Sequence, residues 1–173
     1  MIDIHVLTHS GTRQEWLRQC ITSLDGQPCT VHIVQGVEGS VGAGRAIGYA
    51  RGDHEFVGYV DSDDYVLPGA LARCLDALRT HRAVVTAEWV EYPDGSRHPY
   101  PKHGHSMAVY RRVDVEPLRA VLHSLPHTAD AMVRHTLRPT QLPTVEYVWR
   151  VHERGDHNNI TRAMLAAERA LWP

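Results

Sequence analysis

The sequence predicts an α/β chain: a mostly parallel sheet flanked by helices, with a smaller antiparallel element in the second half. Three observations lead there. Short apolar runs of strand length alternate with stretches of helical, 3.6-residue periodicity through residues 1–80. The stretch from Ala83 to Arg111 folds back on itself through Pro93-Asp94-Gly95-Ser96. And 173 residues, at roughly 150 per domain, suit a single domain.

Taken in order, Ile2, Ile4 and Val6 alternate as a strand does, and Thr8 to Thr12 is a polar loop. Trp16, Leu17, Cys20, Ile21 and Leu24 share one face of a helix from about Arg13 to Leu24, which Asp25-Gly26 ends. Val31, Ile33 and Val34 make a second strand closed by Gly36. Gly39 to Gly44 reads as a flexible loop and Arg45 to Ala50 as a short helical stretch. Phe56 to Val60 is a third, mostly apolar strand running into Asp61-Ser62-Asp63-Asp64. Pro68 fits the first turn of a helix carrying Leu71, Cys74, Leu75 and Leu78, where its missing N–H costs nothing. Ala83 to Tyr92 reads as a long strand and Met107 to Arg111 as its return, with Arg97 to His105 a mobile loop rich in Pro, Gly and His. Leu118, Val121, Leu122 and Leu125 predict one helix; Met132, Val133 and Leu137 predict another behind an N-cap at Thr128. Val145 to Val151 reads as a strand and Ile160 to Trp172 as a terminal helix.

Composition narrows the function. A chain that is 43% hydrophobic and 22% charged buries a core rather than staying disordered. A net charge of -2 gives no bulk attraction to nucleic acid or anionic membrane, although protonating the 13 His would turn the charge positive. Cys20, Cys29 and Cys74 show neither disulfide nor zinc spacing, which fits a reducing cytoplasm. No run reaches the ~18 to 20 apolar residues of a membrane span, and the start has no signal-peptide pattern. These features predict a soluble, cytoplasmic protein.

The strongest local signal is the set of three carboxylates, Asp61, Asp63 and Asp64, at the end of an apolar strand. Open α/β sheets place ligands at such edges. Like charges this close repel, and a hard divalent cation held by their oxygens relieves the repulsion, with a metal-bound diphosphate as natural cargo. An acidic turn capping the next helix is the plainer alternative.

The order of a Thr-bearing loop, Gly42-Ala43-Gly44-Arg45-Ala46-Ile47-Gly48, then Tyr59-Val60-Asp61-Ser62-Asp63-Asp64-Tyr65-Val66-Leu67-Pro68 resembles the family 2 glycosyltransferases of the GT-A (Rossmann-like) fold. Tyr147-Val148-Trp149-Arg150-Val151-His152 is similar to that family's late aromatic-Arg-x-His strand. The resemblance implies a metal-dependent, inverting transfer of sugar from a nucleoside diphosphate sugar, foremost a UDP-sugar, to an acceptor hydroxyl. It implies residues 1–80 as the nucleotide-sugar half and 81–173 as the acceptor and catalytic half of one domain. It further implies Mn2+ or Mg2+ held by Asp61, Asp63 and His152, with Thr8, Gln35, Arg45, Asp61 and Arg150 on the nucleotide sugar. Gln35 stands where the family usually carries an acid that reads uracil, and an amide both donates and accepts, so the nucleobase stays open. Asp130 matches the family's base, although Ala129 replaces the acid usual before it; a first-turn helix acid is the alternative. For His152 the alternative is a hydrogen-bonded strand histidine.

Residues 97–113 carry no acid, while Arg97, Lys102, Arg111 and Arg112 supply positive charge; a second acid-free run adds Arg134. Lys102, Arg111, Arg112 and Arg134 are therefore expected at the acceptor. In size and charge the chain resembles small phage glycosyltransferases that decorate hydroxymethylated pyrimidines in DNA, which would work in the host cytoplasm. A glycan or small molecule is the other acceptor class. Two rival readings remain. One is a sugar-nucleotide-binding module that transfers nothing. The other is a dinucleotide enzyme, suggested by Gly42-x-Gly44-x-x-x-Gly48 but at the wrong spacing from its strand.

Overall fold

The computed structural model describes residues 1–100, 107–153 and 161–173. Its strands are β1 (Ile2–Thr8), β2 (Cys29–Gln35), β3 (Phe56–Asp61), β4 (Tyr65–Val66), β5 (Ala83–Glu91), β6 (Arg97–Tyr100), β7 (Ala108–Arg111) and β8 (Thr140–Arg150). Its helices are α1 (Gln14–Leu24), α2 (Val41–Tyr49), α3 (Ala70–Ala77), α4 (Arg112–Val115), α5 (Arg119–Leu122), α6 (Ala129–Leu137) and α7 (Arg162–Arg169). One sheet runs in the order β2-β1-β3-β7-β5-β8-β4, with β6 on the outer half of β5. β1, β2, β3, β5 and β8 share one direction, and β4, β6 and β7 oppose it. The mostly parallel sheet with an antiparallel element in the second half is thus the fold adopted.

Helices cover both faces. Ile2, Ile4 and Val6 pack with Cys20, Leu24, Leu71, Cys74 and Leu78 on one side; Val57 and Tyr59 pack with Tyr49, Leu122, Leu125, Met132 and Val133 on the other. The polar positions of β1 are therefore interior too, with Asp3 3% and His5 1% exposed. Burial and the charge of Arg45 hold the His5 imidazole well below its ordinary pKa, so it is neutral. Its ring packs edge-on against Tyr49 at 4.8 Å.

The sheet opens at one end. β7 pairs β3 only over Phe56–Gly58 and β5 only over Ala83–Val85. Above that level β5 pairs with β6 over Glu88–Glu91 instead, and β3 has no strand pairing on that edge among the described residues. The carboxyl end of β3, with Asp61, borders this opening.

Four departures from the sequence reading have local causes. α2 begins at Val41, inside the stretch read as loop, because the Ser40 hydroxyl caps it by accepting from the Ala43 N–H at 3.2 Å. Pro68 precedes α3 rather than opening it, since Gly69 takes a left-handed φ of 77° at the N-cap. The segment Leu118 to Leu125 is broken into short turns because Pro117 has no N–H to donate. Arg97–Tyr100 is a strand, set by the hairpin turn in which Tyr92 N–H donates to Ser96 C=O; the rest of the expected mobile loop, residues 101–105, lies outside the described residues.

At the closed end of the sheet Asp3 accepts from Arg112 Nη2 at 2.5 Å, His32 Nε2 at 2.7 Å and the His54 N–H at 2.8 Å. Burial works to raise the Asp3 carboxyl, but the bonds from His32 and His54 outweigh it and hold the carboxyl below its ordinary value of 3.8. A depressed folded-state value means the stabilisation is complete above about pH 4 and fades as pH falls through the folded-state value. Asp3→Asn should cost about 2–4 kcal/mol at pH 7, and less at pH 3. Urea unfolding at both pH values measures this, and an equal cost at both would refute the linkage.

Candidate active site

The strand register assembles the open edge. Thr8 pairs with Gln35, and Leu7 pairs with Asp61, so Thr8, Gln35 and Asp61 stand side by side at the carboxyl ends of three parallel strands. Thr8 Oγ1 donates to the Val34 carbonyl at 3.4 Å, and Gln35 is exposed. On the family resemblance both are expected at the nucleotide, and the fold sets them side by side.

Helix α2 presses onto this edge because its glycines let it. A Cβ on Gly42 would collide with the carbonyls of Leu122 and Leu125, one on Gly44 would lie 3.0 Å from Leu7 Cδ1, and one on Gly48 would strike the His5 ring. The glycines belong to the helix itself and set its packing, so the dinucleotide-loop reading does not hold here. Arg45, on the same helix, is 1% exposed. Its Nε and Nη2 grip the Asp130 carboxylate at 2.9 and 3.0 Å, and Nη2 also donates to Asp61 Oδ1 at 2.6 Å. The guanidinium lies 3.6 Å over the Tyr59 ring, a cation–π contact. Arg45 thus binds two carboxylates of the site rather than presenting itself at the surface. Arg134 stands behind it, donating from Nη2 to the Tyr59 hydroxyl at 2.6 Å.

β8 supplies the other wall. Asp64, 2% exposed, accepts from the Tyr147 hydroxyl at 2.6 Å and the Arg150 N–H at 2.8 Å. The same Tyr147 hydroxyl accepts from the Asp61 N–H at 3.3 Å, so the curled sheet brings β8 across to the end of β3. Arg150 donates to the Asp63 carbonyl, to Glu91 Oε1 at 3.2 Å and to Gln19 Oε1 at 2.7 Å. Asp63 Oδ2 lies 2.7 Å from His152 Nε2, and the Trp16 ring lies 4.8 Å from that imidazole.

Charge is unbalanced here. Burial, with repulsion from Asp63 and Asp61, pushes the Asp64 carboxyl well above its ordinary value despite the bonds from Tyr147 and Arg150. Desolvation raises Asp61 as well; Arg45 pulls it down, while Asp130 and Asp63 add to the rise. A divalent cation on the Asp63 carboxylate and the His152 imidazole would relieve this strain, and an oxygen–nitrogen donor pair suits Mn2+. Asp61 is turned onto Arg45, so Asp61, Asp63 and His152 do not close as a three-ligand set. Among the described residues the set that closes within 4.8 Å is Asp3, Asp53 and His54, at the opposite end. There Arg112 and His32 already occupy Asp3.

Two expected acceptor residues lie elsewhere. Arg111 pairs with Glu55 and covers the Phe56 ring, while Arg112 binds Asp3 and the carbonyls of Tyr49, Arg51 and His54. Both sit at the amino end of β3, the closed end of the sheet, so the structure corrects their assignment to the acceptor. Lys102 lies outside the described residues. Sequence reasoning gave no role to Glu168, whose carboxylate receives the N–H groups of His127 and Thr128. Nor did it give one to Glu91, which binds Tyr65, Arg97 and Arg150.

The carboxyl edge of this open α/β sheet, with its carboxylates, arginines and a histidine, is the kind of edge at which such folds bind ligands. The chain matches the family "Glycosyl transferase family 2" over residues 14–136, and it belongs to that family. Its fold is similar to that of S. aureus TarS 1-349 in complex with UDP-GlcNAc, at 13% identity and a TM-score of 0.69, over 98% of this chain and 66% of that one. It is also similar to mannosyltransferase PcManGT from Pyrobaculum calidifontis in complex with GDP-Man and Mn2+, at 15% identity and a TM-score of 0.67, over 98% and 62% of the two chains. The chain spans just under two thirds of the length of each. Among curated proteins none matches it. No helix among the described residues is long and apolar enough to cross a membrane.

Gly48→Ala tests whether close approach sets the placement of α2. In a helix interior this change normally gains up to about 1 kcal/mol, but the collision with His5 should reverse the sign and cost about 1–3 kcal/mol. In a His5→Ala background the same change should become neutral or stabilising, as chemical denaturation would show. A stabilising Gly48→Ala in the wild-type chain would contradict the packing argument.

Proposed function

We propose that this chain transfers a sugar from a nucleoside diphosphate sugar to an acceptor hydroxyl with inversion, using Mn2+ or Mg2+. The observation that carries the reading is the linked pair of carboxylates: Arg45 joins Asp61, at the diphosphate end, to Asp130. Asp63 and His152 would hold the metal, which would supply positive charge toward the diphosphate, with Asp61 beside them on Arg45. Thr8, Gln35 and Arg150 flank the donor. Asp130 accepts the proton of the acceptor hydroxyl as its oxygen bonds to the anomeric carbon, and the bond to the diphosphate breaks on the opposite face with its electron pair.

TarS, a structural neighbour, holds UDP-GlcNAc or UDP and another holds GDP-Man with Mn2+, which supports a nucleotide-sugar donor, with a UDP-sugar first. Residues 1–80 form the donor half and 81–173 the acceptor and catalytic half, at work in the cytoplasm. With Arg111 and Arg112 committed to the closed end, a glycan or small-molecule acceptor is favoured over hydroxymethylated DNA.

Calorimetry with UDP and Mn2+ should show binding to the wild-type chain that chelation abolishes and Asp63→Ala removes. Binding by Asp63→Ala as tight as by wild type would sink the metal assignment. Asp130→Asn should bind the donor normally yet turn over about a hundred- to ten-thousandfold more slowly. A panel of UDP- and GDP-sugars, offered with glycan, small-molecule and hydroxymethylated-duplex acceptors, identifies the substrates. Anomeric NMR reads the stereochemistry, and near-normal turnover of Asp130→Asn, or retention, would remove Asp130 as base.

A further inference from the structure

We propose that Glu168, on the C-terminal helix α7, is a positioning residue for Asp130; the proposal rests on the reading of Asp130 as base. The first observation is how α7 docks. A surface helix ordinarily buries an apolar stripe, yet the buried residue of α7 is Glu168, 6% exposed. Its Oε2 accepts from the Thr128 N–H at 2.8 Å, the Thr128 hydroxyl at 2.8 Å and the His127 N–H at 3.0 Å. Just beyond the helix, Trp172 Nε1 donates to the Thr128 hydroxyl at 3.3 Å, and the Trp172 ring lies 5.3 Å from that of His135. The polar contacts of the helix therefore converge on Thr128 and its neighbour His127, while Trp172 packs against the apolar core.

Thr128 is the N-cap of α6, and its own side chain makes no capping bond, because its hydroxyl is given to Glu168. The first helical bond, Met132 N–H to Thr128 C=O at 2.8 Å, starts there, and Asp130 is the second helical residue. A carboxylate at this end satisfies amides that lack an acceptor within the helix and meets the positive pole of the helix dipole. Asp130 is thus fixed twice: its side chain by Arg45, and the peptides that lead into it by Glu168. Remove the second constraint and the peptides leading into Asp130 are free to rotate, which shifts its carboxylate against the Arg45 guanidinium. A base displaced by about 1 Å costs up to about a hundredfold in rate.

The test is a mutant cycle of Glu168→Ala, Glu168→Gln and Asp130→Asn. Turnover is read as nucleoside diphosphate released from whichever UDP- or GDP-sugar the wild-type chain consumes, and donor-site integrity as the affinity for UDP with Mn2+. Glu168→Ala should lower kcat about ten- to hundredfold with UDP affinity unchanged. Glu168→Gln, which keeps the volume and one accepting oxygen, should fall between it and wild type, and it carries the cycle if the Ala variant fails to fold. In the Asp130→Asn background neither change should slow turnover further, because residues that act through one group are not additive. Independently of any donor, amide exchange in the peptide spanning residues 127–132 should quicken in Glu168→Gln while that of β1 does not. Wild-type turnover in both Glu168 variants, an undiminished effect in the Asp130→Asn background, or unchanged local exchange would each overturn the proposal. Near-wild-type turnover of Asp130→Asn alone is a separate result, and it would overturn the base reading on which the proposal rests.

Discussion

The enclosure of the Arg45 guanidinium among Asp61, Asp130 and the Tyr59 ring constrains the rest of the molecule. A buried guanidinium loses several kcal/mol of hydration, which only well-placed, charge-assisted bonds offset. Those bonds come from β3 and from α6, the latter 85 residues further along the chain. α2 reaches both only because Gly44 and Gly48 let it lie against Leu7 and His5. One ion cluster therefore makes the placement of a helix, a strand end and the first turn of a distant helix a single condition.

The two ends of the sheet handle buried charge in opposite ways. At the closed end Asp3 has Arg112 and His32 around it, and its carboxyl is held below the ordinary value. At the open end Asp64 and Asp61 are both raised, by burial and by neighbouring carboxylates that the local donors do not balance. A fold could finish both ends as it finishes the first. Negative charge left uncompensated beside an opening is what the proposed site for a cation and a diphosphate requires.

This contrast explains which parts of the site were legible in the sequence. Asp61-Ser62-Asp63-Asp64 and Tyr147 to His152 are local strings at strand ends, legible from periodicity, and the family resemblance is what joins them. Asp63 and His152 lie 2.7 Å apart. Arg111 and Arg112 misled because an acid-free stretch counts charges without their partners. Those partners, Glu55 and Asp3, lie 56 and 109 residues away. Arg45, expected on the nucleotide sugar from the family resemblance, has its carboxylate partners 16 and 85 residues away, and Glu168 carries no local signal, since its partners stand 40 and 41 residues earlier. Turn chemistry accounts for the fold-level differences: the Ser40 cap and Pro117 each act on one backbone bond.

The sharing of Arg45 also links the two halves of the proposed chemistry. Its Nη2 serves Asp61 at 2.6 Å and Asp130 at 3.0 Å, while Nη1 has no hydrogen-bond partner among the described residues. A guanidinium carries one charge, so the two carboxylates compete for it. Whatever draws Asp61 toward the opening leaves more of the Arg45 charge to Asp130 and shifts the balance within the pair. The link is an electrostatic coupling through one nitrogen and needs no movement of the sheet.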